Sequence, residues 1–342
     1  MSDLDRSGVY GFEDGKSGIA RMAPPEWWLP KIDRTLLKSL MKRNNYRAFI
    51  SHGGWFLLVI GLGYLSARTF GSPWCILWFF LYGTVLSTCN ARWHESLHGT
   101  PFRTSFLNEI MYFIGATLEF RDVVYTRWSH MTHHSYTVYP DVDLKFAALR
   151  PVRLWKMLPD LFYITSTILL VRQQVIHSLG ILTPNARKTV PESDYVKMFW
   201  AARVTLLVHL VPVALSIILH SWIPVLLVTF PRMYGGILVY ILIMTQHAGL
   251  AENVPDHRLS TRTVILNPIF SFLYMHMEYH VEHHMFPLVP FHSLARLHKA
   301  IAGQTPKPYR GLWQVYRVLL PVLWRQRRDV SCYIERELPG ET

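Results

Sequence analysis

The sequence is poor in the residues that staple small secreted domains together. Cys75, Cys89 and Cys332 are its three cysteines. Their odd number and wide spacing exclude a disulfide framework, and without a CxxC pair there is no thiolate zinc cluster. Charge is equally scarce, at 17% of residues, and it is absent from 48–67, 69–91, 204–231 and 233–251. Each of those runs can cross about 30 Å of hydrocarbon as a helix. With 50% hydrophobic residues, they exclude the pair of water-soluble domains that 342 residues would otherwise permit. The opening MSDLDRSGVYGFEDG lacks the basic and apolar regions of a cleaved signal, so the first uncharged run is expected to remain as a span. Internal repeats and low-complexity tracts are also missing.

The charge that is present is lopsided. Lys and Arg number 35 against 23 acids, and all the basic residues but Arg68 and Arg232 fall in 1–47, 92–203 and 252–342. The positive-inside rule places those three segments together on the cytoplasmic side. The prediction is an all-α integral membrane protein with four transmembrane helices, about 48–68, 73–93, 200–220 and 223–247, arranged as two hairpins. A cytoplasmic tail, 1–47, precedes the membrane domain of 48–300, and a second tail, 301–342, follows it. Apolar stretches at 110–118 and 161–171 are too short to cross and read as interfacial helices, while 173–197, with Thr183-Pro184-Asn185, reads as a mobile loop. The Pro24–Trp28 knot is expected to meet the membrane interface through its two Trp. A basic helix at 311–328, with Trp313, Tyr316, Leu319 and Leu320 as its apolar stripe, is expected to pack on a cytoplasmic helical cap.

That cap is predicted from histidine. Eight of the 17 histidines lie in three clusters: His94-x-x-x-His98, His130-x-x-His133-His134 and His280-x-x-His283-His284. A shuffled sequence of this composition yields one HxxHH roughly 0.04 times, so two of them mark a metal site. Spacings of three and four stack imidazoles on one face of a helix. Eight imidazoles exceed the needs of one four-coordinate ion, so two metals are expected. Imidazole suits zinc, copper, iron and nickel alike. Structural zinc usually includes thiolates, however, and soluble di-iron bundles use paired Glu-x-x-His motifs, of which only Glu95-x-x-His98 is present. A pair of irons held by histidine at the membrane surface is the reading that remains.

In order and spacing, HESLH, HMTHH and HVEHH resemble the three histidine boxes of the membrane fatty acid desaturase and hydroxylase superfamily, over about residues 48–300. The strings His94-Glu95-Ser96-Leu97-His98-Gly99-Thr100, Arg127-Trp128-Ser129-His130, Gln246–Asn253 and Tyr279–Pro287 are similar to a bacterial branch that includes the dihydrorhizobitoxine desaturase and the rhizopine-catabolism oxygenase. The resemblance implies a non-haem di-iron centre that uses O2 and two external electrons to remove hydrogen from an unactivated C–H bond. It implies His94, His98, His130, His133, His134, His280, His283 and His284 as ligands, and His247, at the cytoplasmic end of the fourth span, as a ninth.

The function expected is desaturation of an aliphatic chain, foremost a fatty acyl group, fed by a ferredoxin or similar donor with its reductase. No His-Pro-Gly-Gly for a fused cytochrome b5 is present. A hydroxylase, or an enzyme of an amino-acid-like metabolite, is the near alternative, and a zinc-dependent membrane hydrolase the distant one. Nucleic acid is not an expected partner, and the bacterial inner membrane is the expected location. Around the boxes, Glu95, Asp141, Asp143 and Glu282 could orient ligating rings, Asp143 and Glu282 foremost. His276 would share a helical face with His280, and His257 is left open. His52, His177, His209, His220, His292 and His298 are read as structural. Arg232, alone in an apolar run, reads as snorkelling from a kinked helix or as binding a substrate carboxylate.

Overall fold

A computed structural model describes residues 23–143 and 150–340; the segment 1–22 of the expected N-terminal tail therefore lies outside the described residues. Helices dominate. Three are long and apolar enough to cross a membrane: Asn45–Arg68, Trp74–Leu97 and Glu192–Ile218. After the short α1 (Arg34–Leu40), α2 (Asn45–Arg68) is started by Asn44, whose side chain accepts from the Arg47 N–H and so satisfies one of the orphan donors of the first turn. Gly71, at φ +89°, turns the chain, and Pro73 leads into α3 (Trp74–Ser87). A slight break at Thr88 separates α3 from α4 (Cys89–Leu97), but the pair runs on as one rod to the first histidine box, as the lack of Pro or Gly after Gly83 predicts. It stops where Gly99 takes φ +67°, a left-handed conformation that costs glycine little.

Helix α5 (Ser105–Leu118) starts before the expected 110–118 and packs on α4, with Gly115 against the Trp93 Cβ. Then α6 (Val123–Ser135) carries the second box. The apolar stretch near 161–171 is part of a bent pair, α7 (Leu154–Asp160) and α8 (Ile164–Ser178), at 73° to each other. The supposed mobile loop is instead tied down. It holds α9 (Pro184–Thr189), and His177 bonds Asp122 at 2.7 Å and Thr183 at 3.0 Å. Trp128 donates to Asp194 at 2.9 Å, just before α10 (Tyr195–Ile218).

The largest departure concerns the fourth span. In place of one helix over 223–247 there are three pieces: α11 (Ile223–Val228), α12 (Pro231–Gly235) and α13 (Ile237–His247). Pro231 opens the second piece and the Gly235-Gly236 pair ends it, which are the positions where a helix ladder is weakest. The break lets α12 lie directly on α3: a Cβ on Gly235 would stand 2.0 Å from the Gly83 carbonyl carbon. It also buries Arg232, which neither snorkels nor faces an open cavity. Its Nη1 donates to the Glu119 carbonyl at 2.8 Å, its guanidinium lies 4.0 Å over the Tyr163 ring, and its Nε is 4.0 Å from the Glu119 carboxylate. A charge so paired avoids much of its cost in an apolar setting.

The rest builds the cap: α14 (His257–Ser260), α15 (Pro268–Leu273), α16 (His280–Met285), α17 (Phe291–Ile301) and α18 (Gly311–Arg325). Two short strands, β1 (Val264–Ile265) and β2 (Tyr309–Arg310), pair in parallel with Val264 opposite Tyr309. They clamp the start of α18 beside the third box. The Pro24–Trp28 knot joins this cap too: Trp27 stacks on His257 at 3.9 Å and donates to the Ser135 carbonyl, and Trp28 lies under the Arg258 guanidinium. The stripe expected of the last helix is rotated, since Val315, Leu319 and Leu323 are buried whereas Trp313 and Leu320 are exposed.

Candidate metal centre

The three boxes and His247 converge. Two groups of buried imidazoles form, His94, His98, His130, His134 and His283 in one, and His133, His247, His280 and His284 in the other, with the ligand atoms of each group within 4.8 Å of one another. The groups are adjacent, the His134 and His284 rings stacking at 4.4 Å between centroids.

Neither HxxHH box serves a single group. Residues four apart on a helix differ by about 40° around the axis, and residues three apart by about 60° in the opposite sense. On α6, His130 and His134 therefore point together into the first group while His133 turns to the second. On α16 the assignment is reversed, with His280 and His284 in the second group and His283 in the first. The three rings of a box span about 100° of one helix face, and this division sends two of them to one group and the third to the other. It is also what allows two short helices to build two sites side by side.

Outer partners fix the rings of the second group. His133 Nδ1 bonds the buried Asp143 carboxylate at 2.7 Å. A carbonyl can only accept, so His247 donates its Nδ1–H to Ser260 at 3.0 Å. The Thr137 hydroxyl donates to the His133 carbonyl and lies 3.1 Å from His284 Nδ1, which it can accept from. Each of these contacts turns an Nε2 lone pair inward. His280 Nε2 stands 2.9 Å from His247 Nε2 and 3.1 Å from His284 Nε2, and in the first group His130 Nε2 stands 2.8 Å from His98 Nε2 and 3.1 Å from His134 Nε2.

One ring nitrogen carries either a proton or a lone pair, so it cannot satisfy two such neighbours. A cation can. Metal–nitrogen bonds of about 2.1 Å meeting near a right angle put their nitrogens about 3.0 Å apart. The donor set therefore fits one metal ion per group. Burial, and then the neighbouring imidazoles, hold His134 and His284 well below the usual imidazole pKa, and thus in the neutral, ligating form.

Of the other candidates, Glu282 faces away. It lies about 200° around α16 from His280, and its carboxylate accepts from Thr263 and from His298 Nδ1, each at 2.6 Å, instead of holding a clustered ring. Asp141 is exposed. Glu95 is buried, accepts from Thr100 and the Phe291 N–H, and stands 3.7 Å from His283 Nδ1. His276 is not on the helix of the third box, which begins at His280; it bonds Ser271 instead. His257 lies against the second group, its ring 5.1 Å from that of His284. Sequence reasoning missed Thr137 and Ser260, because the one acts through a hydroxyl and the other through a backbone carbonyl, and neither leaves a motif. It also missed Glu119, whose carboxylate accepts from Asn90, Trp93 and Arg121 and so ties the first-box helix to α5.

Residues 72–316 match the family model described as fatty acid desaturase. That is more than half of the chain, and it holds all nine clustered histidines: the protein belongs to the fatty acid desaturase family, as an integral membrane oxidoreductase with a histidine centre able to bind metal. No individual curated protein matches the sequence.

Proposed function

We propose that the protein is an O2-dependent membrane desaturase that removes two hydrogens from an unactivated aliphatic chain, foremost a fatty acyl group. The observation that carries this reading is the pair of adjacent all-nitrogen groups, five buried imidazoles beside four. His94, His98, His130, His134 and His283 would hold one iron, and His133, His247, His280 and His284 the other. Such a pair, once bound, supplies redox chemistry with O2 and external electrons that amino acids lack. The chain's own part is to fix ring orientation through Asp143, Ser260 and Thr137, to keep the imidazoles neutral by burial, and to screen the centre from bulk water.

Four crossings by α2, α3–α4, α10 and the broken α11–α13 would set both ends of the described chain and the metal centre on the cytoplasmic side of a bacterial inner membrane. There a ferredoxin-like donor with its reductase can reach it. The resemblance of Gln246–Asn253 and Tyr279–Pro287 to the bacterial branch favours one second reading, a hydroxylase or desaturase of an amino-acid-like metabolite.

Iron content of the purified protein, with O2 and reductant dependence of turnover, tests the class: zinc at full occupancy with oxygen-independent turnover supports a hydrolase and sinks the proposal. Mass spectrometry of lipids and small metabolites from cells with and without the gene separates the two oxidative readings. Loss of two hydrogen masses in an acyl lipid is the result expected, whereas gain of one oxygen mass, or a change confined to a polar metabolite, favours the second.

A further inference from the structure

Helix α18 carries two apolar stripes. Val315, Leu319 and Leu323 are buried in a cluster with Met244 and Ala248 at the end of α13. On the other side Trp313, Leu320 and Trp324 are 81%, 57% and 59% exposed. Nearby α7 shows Trp155 at 68% and Leu158 at 63%. Cations accompany both: the Arg327 guanidinium lies 3.4 Å over the Trp324 ring, and the Lys156 ammonium 5.3 Å from that of Trp155. Between the two helices runs a cleft of about 390 Å³, lined by Trp155, Leu158 and Trp324 together with Arg153 and Arg327.

The fold sets the level of this face. The Tyr316 hydroxyl donates to the Ile241 carbonyl at 2.7 Å, midway along α13, so α18 lies beside an apolar helix just below its histidine end. Helix α7 leads through the bend into α8, where Ile164, Ile168 and Leu169 are also exposed. The Val152 N–H bonds the Gln326 carbonyl at the end of α18, so the start of α7 is held beside the end of α18. The cleft thus brings exposed Trp and Leu side chains of two helices together with two guanidinium groups.

In water, three exposed Trp and two exposed Leu on two neighbouring helices would be an aggregation site. Trp beside Arg and Lys is instead the composition of a helix lying among lipid headgroups. We propose that α7 and α18 together form an interfacial anchor, and that the cleft between Arg153 and Arg327 takes the phosphate of an anionic phospholipid. This rests on the membrane placement of the long helices and is independent of the reaction catalysed.

The test uses the full chain in nanodiscs of phosphatidylcholine and phosphatidylglycerol. A nitroxide is placed by Leu320→Cys, with Cys75→Ala and Cys332→Ser; a second sample, Cys332→Ser alone, carries the label at native Cys75 in α3 as the control, Cys89 being buried. Relaxation by oxygen exceeding relaxation by a neutral nickel chelate at both positions is the expected result. A water-like ratio at 320 with a lipid-like one at 75 overturns the anchor, as does protection from both reagents at 320, which would mean that protein covers the face. A water-like ratio at both positions overturns the membrane placement itself and the anchor with it.

For the headgroup site, Arg153→Gln and Arg327→Gln are each expected to reduce retention of phosphatidylglycerol over phosphatidylcholine in native mass spectra by about fivefold. An unchanged ratio overturns that part. Both side chains line an open cleft, so neither substitution removes buried packing.

Discussion

The two histidine groups are unequal in how they are made. The first is assembled wholly from box residues: His94 in α4 and His98 just past its end, two from α6 and one from α16. The second takes three rings from the boxes but needs His247 from the broken span, and its rings are set by Asp143, Ser260 and Thr137. One site is therefore a property of motif spacing, while the other depends on where a cap loop and the end of α13 come to rest. Disturbing that scaffold should reach the second group before the first.

The most severe test of this difference is His280→Ala, which removes the ring whose Nε2 faces both His247 and His284. Bound iron is expected to fall by about half and activity by roughly a thousandfold, the order of several kcal/mol of metal-derived stabilisation. Metal analysis of the purified variant checks it, and loss of both irons together would mean that the groups cannot be treated separately. Asp143→Asn is milder. It keeps the shape but weakens the acceptor for His133, so iron affinity at the second group should drop about 10–100-fold with the first little changed, as read by chelator competition.

Gly235→Ala probes the scaffold instead of the ligands. Its Cβ would press on Gly83, and overpacking of this kind costs about 1–3 kcal/mol, visible as a lower thermal midpoint in detergent. Loss of second-group iron at temperatures where the first group still holds metal would support the comparison; simultaneous loss would count against it.

Acid should act on the metal-stripped protein as well. His134 and His284 stay neutral when folded, because burial and then adjacent imidazoles lower their pKa, whereas in the unfolded chain they titrate near 6.5. Below about pH 6.5 the unfolded state binds more protons, so stability should decline as pH falls and recover as it rises. A thermal midpoint flat from pH 7.5 to about 5 would contradict this. The smallest effect is expected of Glu282→Gln. Despite its place inside the third box, its partners are Thr263 and His298, so iron affinity should stay within about threefold in the same competition assay.

Much of this was legible in the residues. Three of the four uncharged runs lie in long helices, the first box does fall at the end of one of them, and the clustered histidines do meet. The errors share a cause. Apolar composition reveals that 223–247 avoids water, but not that Pro231 and the Gly235-Gly236 pair let the chain break and settle on α3. Arg232 looked like a lone charge because its partner, Glu119, is more than a hundred residues away in the chain. Glu282 looked well placed because proximity in sequence ignores the turn of a helix.

By itself the sequence determined which segments are long and apolar and which side chains make up the centre, because hydrophobic runs and imidazole spacing are local properties that survive any arrangement of the rest. Only the tertiary structure decided which ring joins which group, which acid holds a ring and which face of the last helix is left uncovered. Those depend on rotations of about 100° per residue and on contacts between segments far apart in the chain, which no local pattern records.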